Sequence, residues 1–319
     1  DPEMPNKAKE GRLDDIVHCI ACTQGCIGEK VRGNVLCCLV NPSLGHESEP
    51  GYLICPAEIK KKVFVIGGGI SGCEAAIIAA RKGHNVTIFE KSDVLGGQWN
   101  AASVPLDKTE FASLVAYQHA QIEKLGIQVR YHATLTKELL DEQPDLVVIA
   151  IGGIPFIPPI KGLTDYKLAS DVLVGKQDVG KDVLIIGGGL VGAETAEYLS
   201  ANGIHVTLVE MLDQIAKDGE AAPNRFLFEN LEKYGVDIYT STSTDMIDDG
   251  RKVMLTTSNG SVTMDDIDDV IIATGFRPNV ELDDLLLGFT GEIVKVGDAN
   301  TVKNGLHNLR EAYEKALKF

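Results

Sequence analysis

Four cysteines, Cys19, Cys22, Cys26 and Cys38, follow one another in the pattern C-x2-C-x3-C-x11-C. Thiolates are soft donors, suited to zinc or to iron and sulfur. Three on one loop with a fourth from further along suit a cubane cluster, in which each iron takes one cysteine. Structural zinc more often draws on two close pairs, so the spacing favours a [4Fe-4S] cluster. Cys37 adjoins Cys38, and spacing alone does not choose between them.

Two glycine loops follow, Gly67-x-Gly69-x-x-Gly72 and Gly187-x-Gly189-x-x-Gly192. Each lies between an apolar run (63–66 and 183–186) and a helical pattern (71–82, and from the second loop to about 202). A second apolar run then ends in an acid, Glu90 or Glu210. Glycines at this spacing let the backbone approach a pyrophosphate at the helix N-terminus, where free N–H groups favour an anion, while the acid accepts ribose hydroxyls. Residues 63–90 align with 183–210 without a gap, and 12 of the 28 positions are identical. Two nucleotide-binding lobes on one plan follow. Glu210 is succeeded by Met211-Leu212-Asp213, with no Arg or Lys to receive a 2′-phosphate, which favours NADH over NADPH.

The elements needed to position these loops are legible. Continuous apolar runs at 63–66, 146–150, 183–186 and 270–273 read as buried parallel strands. The period predicts α/β architecture with two Rossmann-like three-layer domains behind a cysteine-rich loop segment. A hairpin is expected over 252–264 around Ser258-Asn259-Gly260, a short strand over 293–298, and an amphipathic helix over 306–317. Residues 1–60 show little periodicity beyond a helical pattern at 7–16.

Other residues read more plainly. Cys73 suits core packing and Cys55 a buried loop thiol, whereas His18, His84 and His205 read as loop or exposed positions. Neither a C-x4-C after Glu90 nor a cysteine in the second lobe is present, so electrons would leave a flavin without a redox disulfide. Nothing stands out as a general acid or nucleophile.

The 319 residues carry a formal charge of −16 and 44% hydrophobic residues. Such acidity argues against nucleic acid or an anionic membrane as partner. No apolar run approaches the roughly 20 residues a bilayer needs. Seven cysteines without a secretory signal point to a reducing cytoplasm. The chain opens Asp1-Pro2-Glu3 without an initiator Met, so it is either cut from something longer or numbered from an internal residue.

Taken with Gly96-Gly97-Gln98 after Glu90, the turn Thr274-Gly275-Phe276-Arg277-Pro278 and the terminal Gly297-Asp298, region 63–319 resembles the two-dinucleotide-binding-domain flavoproteins. Asp1-Pro2, Asn6-Lys7-Ala8, Gly11-Arg12, Cys19-Ile20-Ala21-Cys22 and Cys38-Leu39-Val40-Asn41-Pro42 resemble the join in the family of 2-enoate reductase, 2,4-dienoyl-CoA reductase and trimethylamine dehydrogenase. The resemblance implies a disulfide-reductase-like fold. It would comprise an iron–sulfur segment (1–60), an FAD domain (61–165 plus 288–319) and an NAD(H) domain inserted in it (166–287). It places FAD on Gly67, Gly69, Gly72, Glu90, Gly97, Gln98, Gly297 and Asp298, and NADH on Gly187, Gly189, Gly192, Glu210 and Gly275. It assigns the fourth cluster ligand to Cys38. In such proteins an FMN-binding barrel comes first and holds the substrate; that barrel is absent from these residues. The implied activity is hydride from NADH to FAD and single electrons through the cluster to FMN, which reduces an enoate or enoyl-CoA. The chain alone would reduce small-molecule redox acceptors, as a diaphorase. The competing expectation is a non-catalytic scaffold holding ADP, as in trimethylamine dehydrogenase.

Overall fold

The computed structural model describes residues 1–248 and 252–319. They divide into two compact units, the first made of Asp1–Asn100, Glu110–Ile154 and Arg277–Phe319, the second of Ala101–Thr109 and Pro155–Phe276.

The first unit is built on a parallel five-stranded sheet in the order Glu292–Lys295, Leu146–Ile149, Lys62–Ile66, Asn85–Glu90, Gln128–Tyr131. Alternate residues face opposite sides of a strand, and both sides here are covered. Val63, Val65, Ile88, Leu146 and Val148 pack against Ala75, Ala76 and Ala79 of the Ile70–Arg81 helix and Ala312, Tyr313 and Ala316 of the Gly305–Ala316 helix. Phe64, Ile66, Phe89, Val147 and Ile149 meet Leu135, Leu282 and Leu286. Double coverage explains why these strands read as unbroken apolar runs. Alanines on the first helix bring its backbone close to the sheet, which holds the preceding glycine loop at the strand ends.

The N-terminal segment lies on this unit. A helix occupies Met4–Lys9, shorter and earlier than the expected 7–16, because Pro5 fits a first helical turn and Gly11 (φ +73) ends it. Ile20 and Leu39 anchor the cysteine loop in the interior, at 2% and 1% exposure. Asp15 accepts from Gln121 (3.0 Å), Arg12 (3.0 Å) and Lys124. His46 stacks on Tyr52 at 4.2 Å, and Tyr52 donates to Glu314 at 2.6 Å.

The second unit repeats the parallel sheet in the order Lys167–Leu168, Asp269–Ile272, Asp182–Ile186, His205–Val209, Asp237–Tyr239. The Leu190–Ala201 helix covers one face. The other is covered by an antiparallel sheet of Ser243–Ile247, Val253–Thr257 and Gly260–Met264, whose Ile247, Val253 and Leu255 meet Leu184, Ile186 and Ile272. The expected hairpin is present with one strand more, and Gly260 pairs with Thr257 rather than standing in the turn.

Two expectations are corrected. His84 is buried (6% exposed), with its Nδ1 accepting from Lys61 N–H at 3.1 Å, because Lys61 leads into the first strand directly over it. Cys55 is exposed rather than buried, whereas Cys73 is buried and donates to Gly68 O at 3.2 Å. Among the described residues no helix is long and apolar enough to cross a membrane.

Candidate functional sites

The first glycine loop forms a tightly determined frame with one open edge. A Cβ at Gly67 (φ +104) would lie 2.3 Å from Ala150 O, and one at Gly72 would lie 2.0 Å from Gly67 O. Both positions are therefore closed to any side chain. At Gly69, the residue that begins the Ile70–Arg81 helix, an added Cβ would meet nothing within 4 Å. Glu90, 6% exposed, braces the loop from below. Its Oε2 accepts from Gly68 N–H (2.7 Å), and its Oε1 accepts from the N–H and hydroxyl of Ser92 (2.8 and 2.7 Å).

Other residues expected at an FAD site gather at the same edge. Gly96 N–H donates to Gly68 O at 2.8 Å, and a Cβ at Gly97 (φ +55) would lie 3.1 Å from Gly69 Cα. Gln98 Nε2 donates to Gly153 O at 3.3 Å. Gly297 (φ +63) stands where an added Cβ would lie 2.6 Å from Ser71 Oγ, on the first turn of the same helix. Asp298 Oδ1 accepts from Asn308 Nδ2 (2.6 Å) and Lys303 N–H (3.1 Å). An open helix N-terminus flanked by Gly69, Gly97 and Gly297 fits a dinucleotide pyrophosphate.

The second loop reproduces the frame. A Cβ at Gly187 (φ +104) would lie 2.5 Å from Ala273 O, and one at Gly192 would lie 1.9 Å from Gly187 O. Glu210 Oε2 accepts from Gly188 N–H (2.6 Å), and its Oε1 accepts from Leu212 N–H (2.7 Å). Gly275 (φ +91) ends the neighbouring strand segment with open space at its Cα, and its carbonyl accepts from Phe156 N–H at 2.9 Å. At this helix start a carboxylate is already present: Asp218 Oδ1 accepts Leu190 N–H at 2.8 Å. It stands in for the anion that such an end attracts.

Sequence reading passed over Asp218 and also over a pair one turn into the same helix. Glu194 binds Lys108, and burial raises its carboxyl above the ordinary range while Lys108 opposes the rise. Glu197, which accepts from Asn230 at 2.6 Å, is raised for the same first reason. No periodicity or motif marks Lys108; only the fold brings it to the helix.

The four cysteines lie on an irregular loop set by left-handed residues, Ala21 (φ 52) and Thr23 (φ 58), and a π-helical turn at Gln24–Gly28. Gly25 is required there, since a Cβ would lie 2.4 Å from Cys37 O. Burial pushes the Cys22 thiol up to about 11, and the neighbouring Cys38, Cys26 and Cys19 add to the rise. Among the described residues no three His, Cys, Asp or Glu side chains stand where they could hold one metal ion. A thiol whose proton is held more tightly by neighbouring thiols suits a bound group that supplies positive charge among them. Thr23 Oγ1 is buried with no hydrogen-bond partner, so a donor is left over for a sulfur acceptor. Cys37 is buried, and burial raises its thiol while Arg310 opposes the rise. The donor chemistry of Cys19, Cys22, Cys26 and Cys38 suits an iron–sulfur cluster.

The profile of the pyridine nucleotide-disulphide oxidoreductases matches residues 61–303. The chain is 39% identical over 303 residues to the bilirubin reductase of Mediterraneibacter gnavus, covering 94% of this chain and 47% of that protein. It is 43% identical over 248 residues to the NADH oxidase of Thermoanaerobacter brockii, covering 75% and 38%. Among solved structures, a 2-naphthoyl-CoA reductase complexed with 2-naphthoyl-CoA superposes with a TM-score of 0.95 at 34% identity, covering all of this chain and 49% of that one. The chain thus spans about half the length of the relatives it matches, in accord with the resemblance to the flavoprotein half of enoate-reductase-type proteins.

Proposed function

Because the chain belongs to the pyridine nucleotide-disulphide oxidoreductase family, we propose that it is the cytoplasmic electron-input half of an NADH-dependent reductase acting on a conjugated C=C bond. The observation that carries this reading is the pairing of two equivalent dinucleotide frames with a four-thiol loop on the first unit. When bound, FAD would accept hydride from NADH and a [4Fe-4S] cluster would pass electrons singly to FMN in a barrel domain.

The chain's own residues bind and orient. Gly67, Gly69, Gly72 and Gly97 would receive the FAD pyrophosphate, Glu90 its ribose, and Gln98 and Gly297-Asp298 its remainder. Gly187, Gly189, Gly192, Glu210 and Gly275 would receive NADH. Met211-Leu212-Asp213 after Glu210 brings no Arg or Lys, and Lys217 is already paired with Asp213, which favours NADH. Cys19, Cys22, Cys26 and Cys38 would hold the cluster. Ile27, Val31, Val35 and Leu36, near these cysteines in sequence, are large apolar side chains left exposed, which suits the barrel as partner.

The test is anaerobic reconstitution with FAD, iron and sulfide, followed by rapid mixing with NADH. Flavin bleaching followed by the electron-paramagnetic-resonance signal of a reduced cluster is expected. Bound ADP with no flavin would instead establish a scaffold.

A further inference from the structure

We infer that Asp218 is an internal competitor for the pyrophosphate of the dinucleotide in the second unit and sets its affinity; this rests on the reading that the second unit takes NADH. The repeat extends past its acids. Ser92 and Leu212 N–H groups both return to the acid two residues before them, at 2.8 and 2.7 Å. Leu95 and Ile215 both lie over the middle glycine: a Cβ at Gly68 would meet Leu95 at 2.4 Å, and one at Gly188 would meet Ile215 at 2.9 Å. Gly96 N–H donates to Gly68 O at 2.8 Å, and Ala216 N–H donates to Gly188 O at 2.7 Å. Two residues further, in the same register, the first unit has Gln98 and the second has Asp218.

The two side chains act differently. Gln98 is neutral and turns to Gly153 O, and a Cβ added at Gly69 would meet nothing within 4 Å. Asp218 turns inward onto Leu190 N–H at 2.8 Å, and both its carboxylate oxygens would lie 3.7 Å from a Cβ at Gly189. A carboxylate here uses the N–H and the helix dipole that a pyrophosphate needs, and its charge repels the incoming anion. Glu194, one turn along the helix, feels Asp218 as a like charge. NADH therefore binds only by displacing this side chain, and the second site is tuned toward ready release of its nucleotide.

The test is calorimetric titration of NADH into the full chain and into Asp218→Asn and Asp218→Gln. The first variant keeps an acceptor for Leu190 N–H without the charge; the second copies the residue of the first repeat. Both should bind NADH about tenfold more tightly, and inorganic pyrophosphate should compete with NADH more strongly in both than in the parent. Equal or weaker NADH binding by both variants would overturn the inference and leave Asp218 a helix cap. Failure of the parent and both variants to bind NADH would remove the reading of the second unit, and the inference with it.

Discussion

The two glycine loops share a frame and differ at its rim. Both place a first glycine against a strand-end carbonyl and a last glycine against the first, and in both an acid takes the N–H of the middle glycine. Divergence is confined to what reaches the open edge, where Gly69 faces free space and Gly189 faces Asp218. Backbone sterics leave no choice at the frame. Side chains at the rim are free to vary, and on the proposed reading this is where the two sites would differ in how firmly they hold a dinucleotide.

The strongest way to break the likeness is to fill the frame. Gly72→Ala and Gly192→Ala should each cost about 3 kcal/mol or prevent folding, since neither backbone oxygen can move without displacing a strand; urea unfolding measures this. A tolerated change at either would mean the two frames are not equivalent. Next, Glu90→Gln should cost about 2 kcal/mol and Glu210→Gln about 1 kcal/mol, because each amide leaves one donor unsatisfied and only Glu90 is fully enclosed. Equal losses by the same measurement would show that enclosure does not separate the two braces.

A third comparison uses pH. Glu74 and Glu194 occupy the same slot of the repeat, and burial raises both above the ordinary 4.5, against Arg81 in one case and Lys108 in the other. Each raised carboxyl binds a proton more tightly in the folded chain than in the unfolded one. Stability from this source is therefore full below 4.5 and is lost as pH rises through the folded value. Glu74→Gln should flatten that decline, gaining on the parent chain more at pH 8 than at pH 5 in urea midpoints. An unchanged difference between the two pH values would sink the assignment. The smallest expected effect on stability is at the open edges: Gly69→Ala and Gly189→Ala should shift unfolding by less than about 0.5 kcal/mol. Flavin retention should nonetheless fall in the first and NADH affinity in the second.

The strands were legible because both faces of each sheet are covered, which forces unbroken apolar runs such as Val63–Ile66 and Val183–Ile186. The glycines were legible because their crowding is local to a few residues. What escaped depends on partners far along the chain. Lys167–Leu168 is too short to show a period, and Ser243–Ile247 is polar on its open side. His84 is buried only because Lys61 and the chain's last residues close over it. Asp218 is legible in the sequence, since the 120-residue offset carried eight positions past the acids aligns it with Gln98.

Sheet order in the first unit carries a consequence for biosynthesis. Its edge strand, Glu292–Lys295, pairs with Leu146–Ile149, and the Gly305–Ala316 helix covers the face beside it. As the polypeptide leaves the ribosome, Pro155–Phe276 has its whole sheet available while the earlier half still lacks an edge strand and a covering helix. The later unit is thus the first able to finish folding, and the N-terminal half must wait one edge strand short, with each face of its sheet only partly covered. Truncation before residue 292 should accordingly yield a half-built first sheet prone to aggregation, visible as chaperone dependence during translation.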